Sequence, residues 1–335
     1  FFIFQIMQIK NLTLVLFSII LLLLFIELSL RAIGIKPRSI NSITINEPKT
    51  NNPDKILGWI PKEGIHEFKP WSDNGKITKL TINNDGSRKT GEISENNKKI
   101  IFIGGSITQG WAVDDNETFT SLIQKKNYNY KIKNYGVGGY GGYQSLLYLK
   151  KILNNNNDIK LIIYGFIPHH EFRNIAAGSW IYLLNQFSSR GIVSIPYASL
   201  DKDNNLINNT PISYLNLPFG KKSSLISKVE KRIMKIKSLS REKSKFEISK
   251  KIILEMKKIS KDKDIDFKLL SLDEMSVDKF NNYKKFLSTN NIDLINCNIP
   301  RGENYVVKNE GHPNLYAHKI VSSCLYKKLD ILKNN

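Results

Sequence analysis

The chain has 335 residues, 41% of them hydrophobic. That balance excludes a disordered chain and leaves room for one large domain with a core of its own. Lys and Arg outnumber Asp and Glu by 50 to 30, which on its own would suggest nucleic acid or an anionic surface; but Lys, Asn and Ile recur throughout, the run Asn154–Asn157 included, so no nucleic-acid partner is expected.

Residues 1–11 form a flank in which Met7 reads as the start and Phe1 to Ile6 as translated upstream sequence. Residues 12–30, LTLVLFSIILLLLFIELSL, match the length of a helix that crosses a bilayer, and Glu27 is their one charge. No small-x-small cleavage site follows, so the segment is expected to be a retained anchor. Lys10 precedes it and Arg31, Lys36 and Arg38 follow, a count that by itself places the globular part inside.

Residues 31–97, rich in Pro, Asn, Gly and charge, read as a linker and a small β-rich lead-in. They include a strand-like piece at Ile77 to Ile82 and a turn at Asp85-Gly86. From Lys98 the pattern becomes βα alternation. Strands are predicted at Ile100 to Ile103, Lys131 to Tyr135, Ile159 to Phe166, Asp266 to Leu272 and Ile292 to Cys297. Helices are predicted near Phe119 to Lys126, Tyr143 to Leu153, Lys221 to Lys237, Phe246 to Ser260, Ser276 to Ser288 and Leu315 to Leu332. Short apolar runs between helices indicate a parallel sheet buried on both faces, hence an α/β domain over 98–335 with about five strands. An insertion lies around 175–250, and the basic stretch Lys221 to Lys263 reads as the solvated face of helices, with a lipid headgroup or acidic glycan as the alternative. Cys297 and Cys324, in a predicted strand and helix, are expected to be buried reduced thiols.

In sheets of this type chemistry gathers at the carboxyl ends of the strands. The first strand ends in Gly104-Gly105-Ser106-Ile107-Thr108, where glycines permit a tight turn and free nearby N–H groups for a nucleophile; a plain turn or a phosphate loop would use the same residues. The second ends in Asn134-Tyr135-Gly136-Val137-Gly138-Gly139-Tyr140-Gly141-Gly142, a loop lean enough for amides to approach a ligand, without the ending of a P-loop. The third runs into Ile167-Pro168-His169-His170-Glu171-Phe172-Arg173-Asn174. Its paired histidines show no third ligand at metal spacing, so no metal is expected, and either imidazole is a candidate oxyanion donor or a structural histidine. Near the end, Asn309-Glu310-Gly311-His312-Pro313-Asn314 places a carboxylate two residues before a His, the arrangement that fixes an imidazole's tautomer when it takes a serine proton; Asn314 also suits a helix N-cap.

In chain order these four blocks resemble those of the SGNH/GDSL hydrolase superfamily, over most of Lys98 to Leu332. The anchor, Gly58-Trp59 and Asn83-Asn84-Asp85-Gly86 also look like the lead-in of its membrane-bound bacterial members. The resemblance implies a flavodoxin-like three-layer α/β/α domain, preceded by one transmembrane helix, that hydrolyses or transfers acyl esters without metal or cofactor. It also implies a globular part outside the cytoplasm, against the charge count. The membrane tether and the large insertion between Asn174 and Lys250 point to an acylated cell-envelope glycan or lipid as substrate. By the same resemblance Ser106 is the nucleophile, His312 the base, and Ser106, Gly139 and His170 (or His169) the oxyanion donors. Three positions depart from the family: Gly105 stands where it has Asp, Pro168-His169-His170 where it has an Asn donor, and Asn309 where its acid usually lies. Glu310 is then the acid, with Asn309 marking the alternative position.

Overall fold

The computed structural model describes residues 2–38, 49–69, 76–91, 97–187 and 193–332. Part of the predicted linker and five residues of the insertion lie outside these ranges. Helix α1 (Phe2–Ala32) leads in, and the part from Lys10 to Ala32 is long and apolar enough to cross a membrane and is exposed over Lys10 to Phe25. Two antiparallel hairpins follow, β1 (Asn51–Asp54) with β2 (Gly58–Pro61) and β3 (Gly64–Phe68) with β4 (Thr78–Ile82).

Strand β5 (Lys99–Gly104) begins the α/β part and runs into the short α2 (Ser106–Gln109). Next come α3 (Phe119–Gln124), β6 (Lys131–Gly136), α4 (Gly142–Asn155), β7 (Ile159–Phe166), α5 (His170–Asn174) and α6 (Gly178–Phe187). A hairpin, β8 (Ser194–Leu200) with β9 (Leu206–Ser213), precedes α7 (Ser224–Lys243) and α8 (Lys245–Lys261). The chain ends with β10 (Asp266–Ser271), α9 (Val277–Thr289), β11 (Asp293–Asn296) and α10 (Leu315–Lys328). All five predicted strands are present. The last predicted helix stops at Lys328 and gives way to a 3₁₀ turn at Asp330–Leu332, and α5, α6 and the β8–β9 hairpin are not among the predicted elements.

The sheet order is β11-β10-β7-β5-β6, all parallel. Taken in chain order this is the 2-1-3-4-5 arrangement of flavodoxin-like folds, whose strand order reverses between the first and third strands. Ile100 and Phe102 face one helical layer with α3 and α10, while Ile101 and Ile103 face the other with α4 and α8. The alternation explains why β5 reads as an unbroken apolar run: both of its faces are core.

Arg88 joins the lead-in to the sheet edge, bridging Ile82 on one side and Asn134 of β6 on the other. Its buried guanidinium donates to the carbonyls of Lys79, Gln109, Gly110 and Val113 and to the Asp115 carboxylate. Arg88→Met is expected to cost about 3 kcal/mol or more, because it leaves buried carbonyls and a carboxylate without a donor; urea unfolding measures it.

The two cysteines correct the expectation of free thiols. Cys297, just past β11, and Cys324, on α10, form a disulfide with Cα atoms 5.7 Å apart. The strand end packs directly beneath the helix in one apolar cluster, a juxtaposition that spacing along the chain does not reveal.

Burial of histidine adds a pH dependence. His318 is 1% exposed and its ring lies on Phe119, and desolvation holds its pKa at about 3. Unfolded, such a group binds a proton near pH 6.5. The unfolded state therefore takes up more protons between about pH 6.5 and 3, and stability falls as pH drops through that window. Melting temperatures measured from pH 7 to 4 should decline, and less steeply in His318→Gln.

Candidate active site

Ser106 opens α2 directly after the buried strand β5, so the sheet core fixes its backbone. Its Oγ lies 2.8 Å from His312 Nε2. On the far side of the ring, His312 Nδ1 is 2.5 Å from Glu310 Oε1, and the His312 amide donates to Glu310 Oε2 at 2.6 Å. Both carboxylate oxygens are thus committed to one histidine, and the Glu310 side chain is fully buried. A carboxylate at Nδ1 leaves Nε2 to accept a proton from the serine, which is the alignment a general base needs.

The turn that carries His312 is built locally. Asn309 has φ +64 and Gly311 φ +89, and the amides of Glu310 and Gly311 both donate to Val307 O. Asn is among the few residues that adopt a left-handed conformation readily, so Asn309 shapes the turn and Glu310 faces the histidine. Asn314 caps α10 by accepting from the Ala317 amide, so the cap and the carboxylate–histidine pair occupy one motif without competing.

The glycine loop lies beside α2: a Cβ on Gly136 would sit 2.4 Å from the Gln109 amide nitrogen. Gly139 has φ +81, and a Cβ there would sit 2.9 Å from the indole of Trp59. Trp59 Nε1 donates to Gly138 O at 3.0 Å, and Tyr140 Oη donates back to Trp59 O. From the other side Arg173 Nη1 donates to Tyr140 O at 2.9 Å, and Asn174 Oδ1 accepts from the Tyr143 amide. The loop is therefore gripped by the lead-in hairpin and by α5. Trp59, Arg173 and Asn174 were visible in the quoted runs, but nothing in their spacing disclosed this role.

The two histidines separate. His169 is exposed and packs edge-on against Trp180. His170 is 1% exposed, with Nδ1 2.8 Å from Tyr164 Oη and Nε2 buried without a hydrogen-bond partner among the described residues. Desolvation, then the nearby Arg173 charge, push its pKa well below the usual imidazole range, so it stays neutral. A Cβ on Gly105 would lie 2.9 Å from this Nε2 and 3.2 Å from Arg173 Nη1. His170 and Arg173 thus crowd the space that a side chain at position 105 would enter, which is a steric reason for glycine there. Among the described residues no group of three or more His, Cys, Asp and Glu is placed to hold a metal ion.

No family model and no curated protein matches the chain. Solved structures of similar fold include the psychrotrophic esterase EstA from a Pseudoalteromonas species, 11% identical over 71% of this chain and 100% of that one, with a TM-score of 0.43. A putative lipolytic protein of the G-D-S-L family from Desulfitobacterium hafniense is 12% identical over 70% of this chain and 100% of that one, TM-score 0.41. The acetyl xylan esterase Est2A from Butyrivibrio proteoclasticus is 10% identical over 77% and 68%, TM-score 0.37.

Proposed function

We propose that the chain is a membrane-anchored serine esterase of the SGNH/GDSL kind. The observation that carries this is the continuous line from Ser106 Oγ through His312 to Glu310 at hydrogen-bond distances. His312 removes the Ser106 proton as Oγ attacks an ester carbonyl, then returns it to the departing alcohol. Water, activated by the same imidazole, attacks the acyl-serine, releases the acid and restores Ser106. The oxyanion of each tetrahedral intermediate is held by the Ser106 and Gly139 amides, neither of which has an acceptor among the described residues. His170 is the candidate third donor: a Tyr164 hydroxyl donating to Nδ1 would leave the proton on Nε2.

The substrate class that suits this reading is an O-acylated glycan or lipid of the cell envelope, and an acceptor hydroxyl in place of water makes the same site an acyltransferase. The disulfide supports an extracytoplasmic placement, since such bridges persist in oxidising compartments. A fluorophosphonate probe tests the nucleophile: labelling should require both Ser106 and His312. The altered third block, Pro168-His169-His170, and Asn309 at the usual acid position favour one second reading, a carbohydrate-binding or assembly protein on the same fold, for which labelling would be absent and glycan affinity measurable.

A further inference from the structure

Helix α7 buries a mostly polar face and leaves apolar side chains on the face turned outward. Its inward face carries Ser224, Ser227, Glu230, Met234 and Ser238, all buried. At about 100° per residue the opposite face centres on Val229, Arg232, Ile236 and Leu239. There Val229, Ile236 and Leu239 are 38%, 55% and 46% exposed, where a helix bordering water would place charges. Exposed Lys228 and Lys235 flank the stripe. Apolar residues at the crest with lysines beside them are the pattern of a helix lying in a membrane interface.

The anchor helix determines what covers this face. Glu27, near the end of α1, accepts from the Ser223 hydroxyl and from the Ser224 and Leu225 amides, so the first turn of α7 is capped by a residue of the apolar helix itself. Arg31 donates to Lys222 O, and Arg38 forms a buried ion pair with Glu230 at 2.9 Å. These contacts fasten α7 to the anchor's stem at two points. The span Lys10 to Ala32 rises about 34 Å, enough for a hydrocarbon core of about 30 Å, so its end comes out near the bilayer surface. That end is where α7 begins and where Phe219, 72% exposed, precedes exposed Lys221 and Lys222.

We propose that the outer face of α7 rests on the anionic headgroups of the leaflet into which the anchor inserts, holding the domain against the bilayer. This rests on the anchor reading above. It also brings the chemistry close to the lipid: Gly178 of α6 sits on the Met234 carbonyl of α7, and Leu184 of α6 touches the position a Cβ on Gly139 would take. The glycine loop is thus one helix layer from the lipid-facing element, within reach of substrates borne by the membrane.

The test uses the full chain in vesicles of phosphatidylglycerol and phosphatidylcholine, or of phosphatidylcholine alone, with nitroxide-bearing lipids as quenchers. Single fluorophores are placed at Ile236→Cys, at Ile20→Cys within the anchor, and at Lys319→Cys on α10 in the opposite helical layer. The expected result is headgroup-nitroxide quenching at 236 that more than halves emission, weaker without phosphatidylglycerol, and none at 319. Emission at 236 as bright as at 319, while 20 is quenched by acyl-chain nitroxide, overturns the proposal and leaves the anchor standing. An unquenched label at 20 removes the anchor reading and the proposal with it. Cross-linking between two copies through position 236 at high lipid dilution would assign the face to a second chain and also overturn it.

Discussion

Replacing Ser106 by Ala is expected to lower kcat/KM toward p-nitrophenyl acetate by about 10⁴-fold or more, and His312→Ala by a similar factor. The two residues share one proton across 2.8 Å, so removing either abolishes the same step and the double variant should be scarcely worse than each single one. Glu310→Gln is the informative companion. It preserves side-chain shape but replaces the charge opposite Nδ1, where both oxygens are engaged by His312, and should cost about 10³-fold in rate and about 1–3 kcal/mol in stability, because a buried amide nitrogen then faces an N–H of His312. Initial rates on the purified chain check all three. Unchanged turnover in Ser106→Ala would remove this serine from the mechanism.

Gly139→Ala is the second large effect expected, about 10²- to 10³-fold in kcat. A methyl group at this position meets the Trp59 ring at 2.9 Å, and φ +81 is strained for any L side chain. The loop must shift, carrying its amide away from the developing oxyanion, whereas ground-state binding depends less on that amide. KM should therefore change little. Trp59→Phe removes the indole donor to Gly138 O while keeping an aromatic wall, so a partial loss in kcat distinguishes loop positioning from simple filling of space. A rise in KM alone in Gly139→Ala would argue against the oxyanion assignment.

The sheet was legible because its strands are buried on both faces and therefore read as plain apolar runs, and Ser106, Gly139, Glu310 and His312 stood out because each follows such a strand or precedes a capped helix. The hairpin β8–β9 and helices α5 and α6 were not legible: α5 is a single short turn with no room for a period, and β9 sets polar Asn208 and Asn209 side by side, with little burial and no strand alternation. The disulfide and the Trp59 and Arg88 contacts are products of tertiary approach, between residues far apart along the chain, and leave no local pattern. His170 illustrates the limit within the site itself. The sequence favoured His170 with His169 as the alternative but held no physical reason for the choice, which the start of α5 supplies by burying His170 against Gly105 and leaving His169 exposed.

Trp59 and Arg88 belong to the segment that precedes the sheet, yet they brace the two turns on which the chemistry would depend. A protease that clipped the chain at residue 97 would not shed a working enzyme into the surroundings; it would release a body whose glycine loop has lost its wall and whose nucleophile turn has lost its brace. Trimming at that point is therefore closed to this architecture as a route to an active fragment.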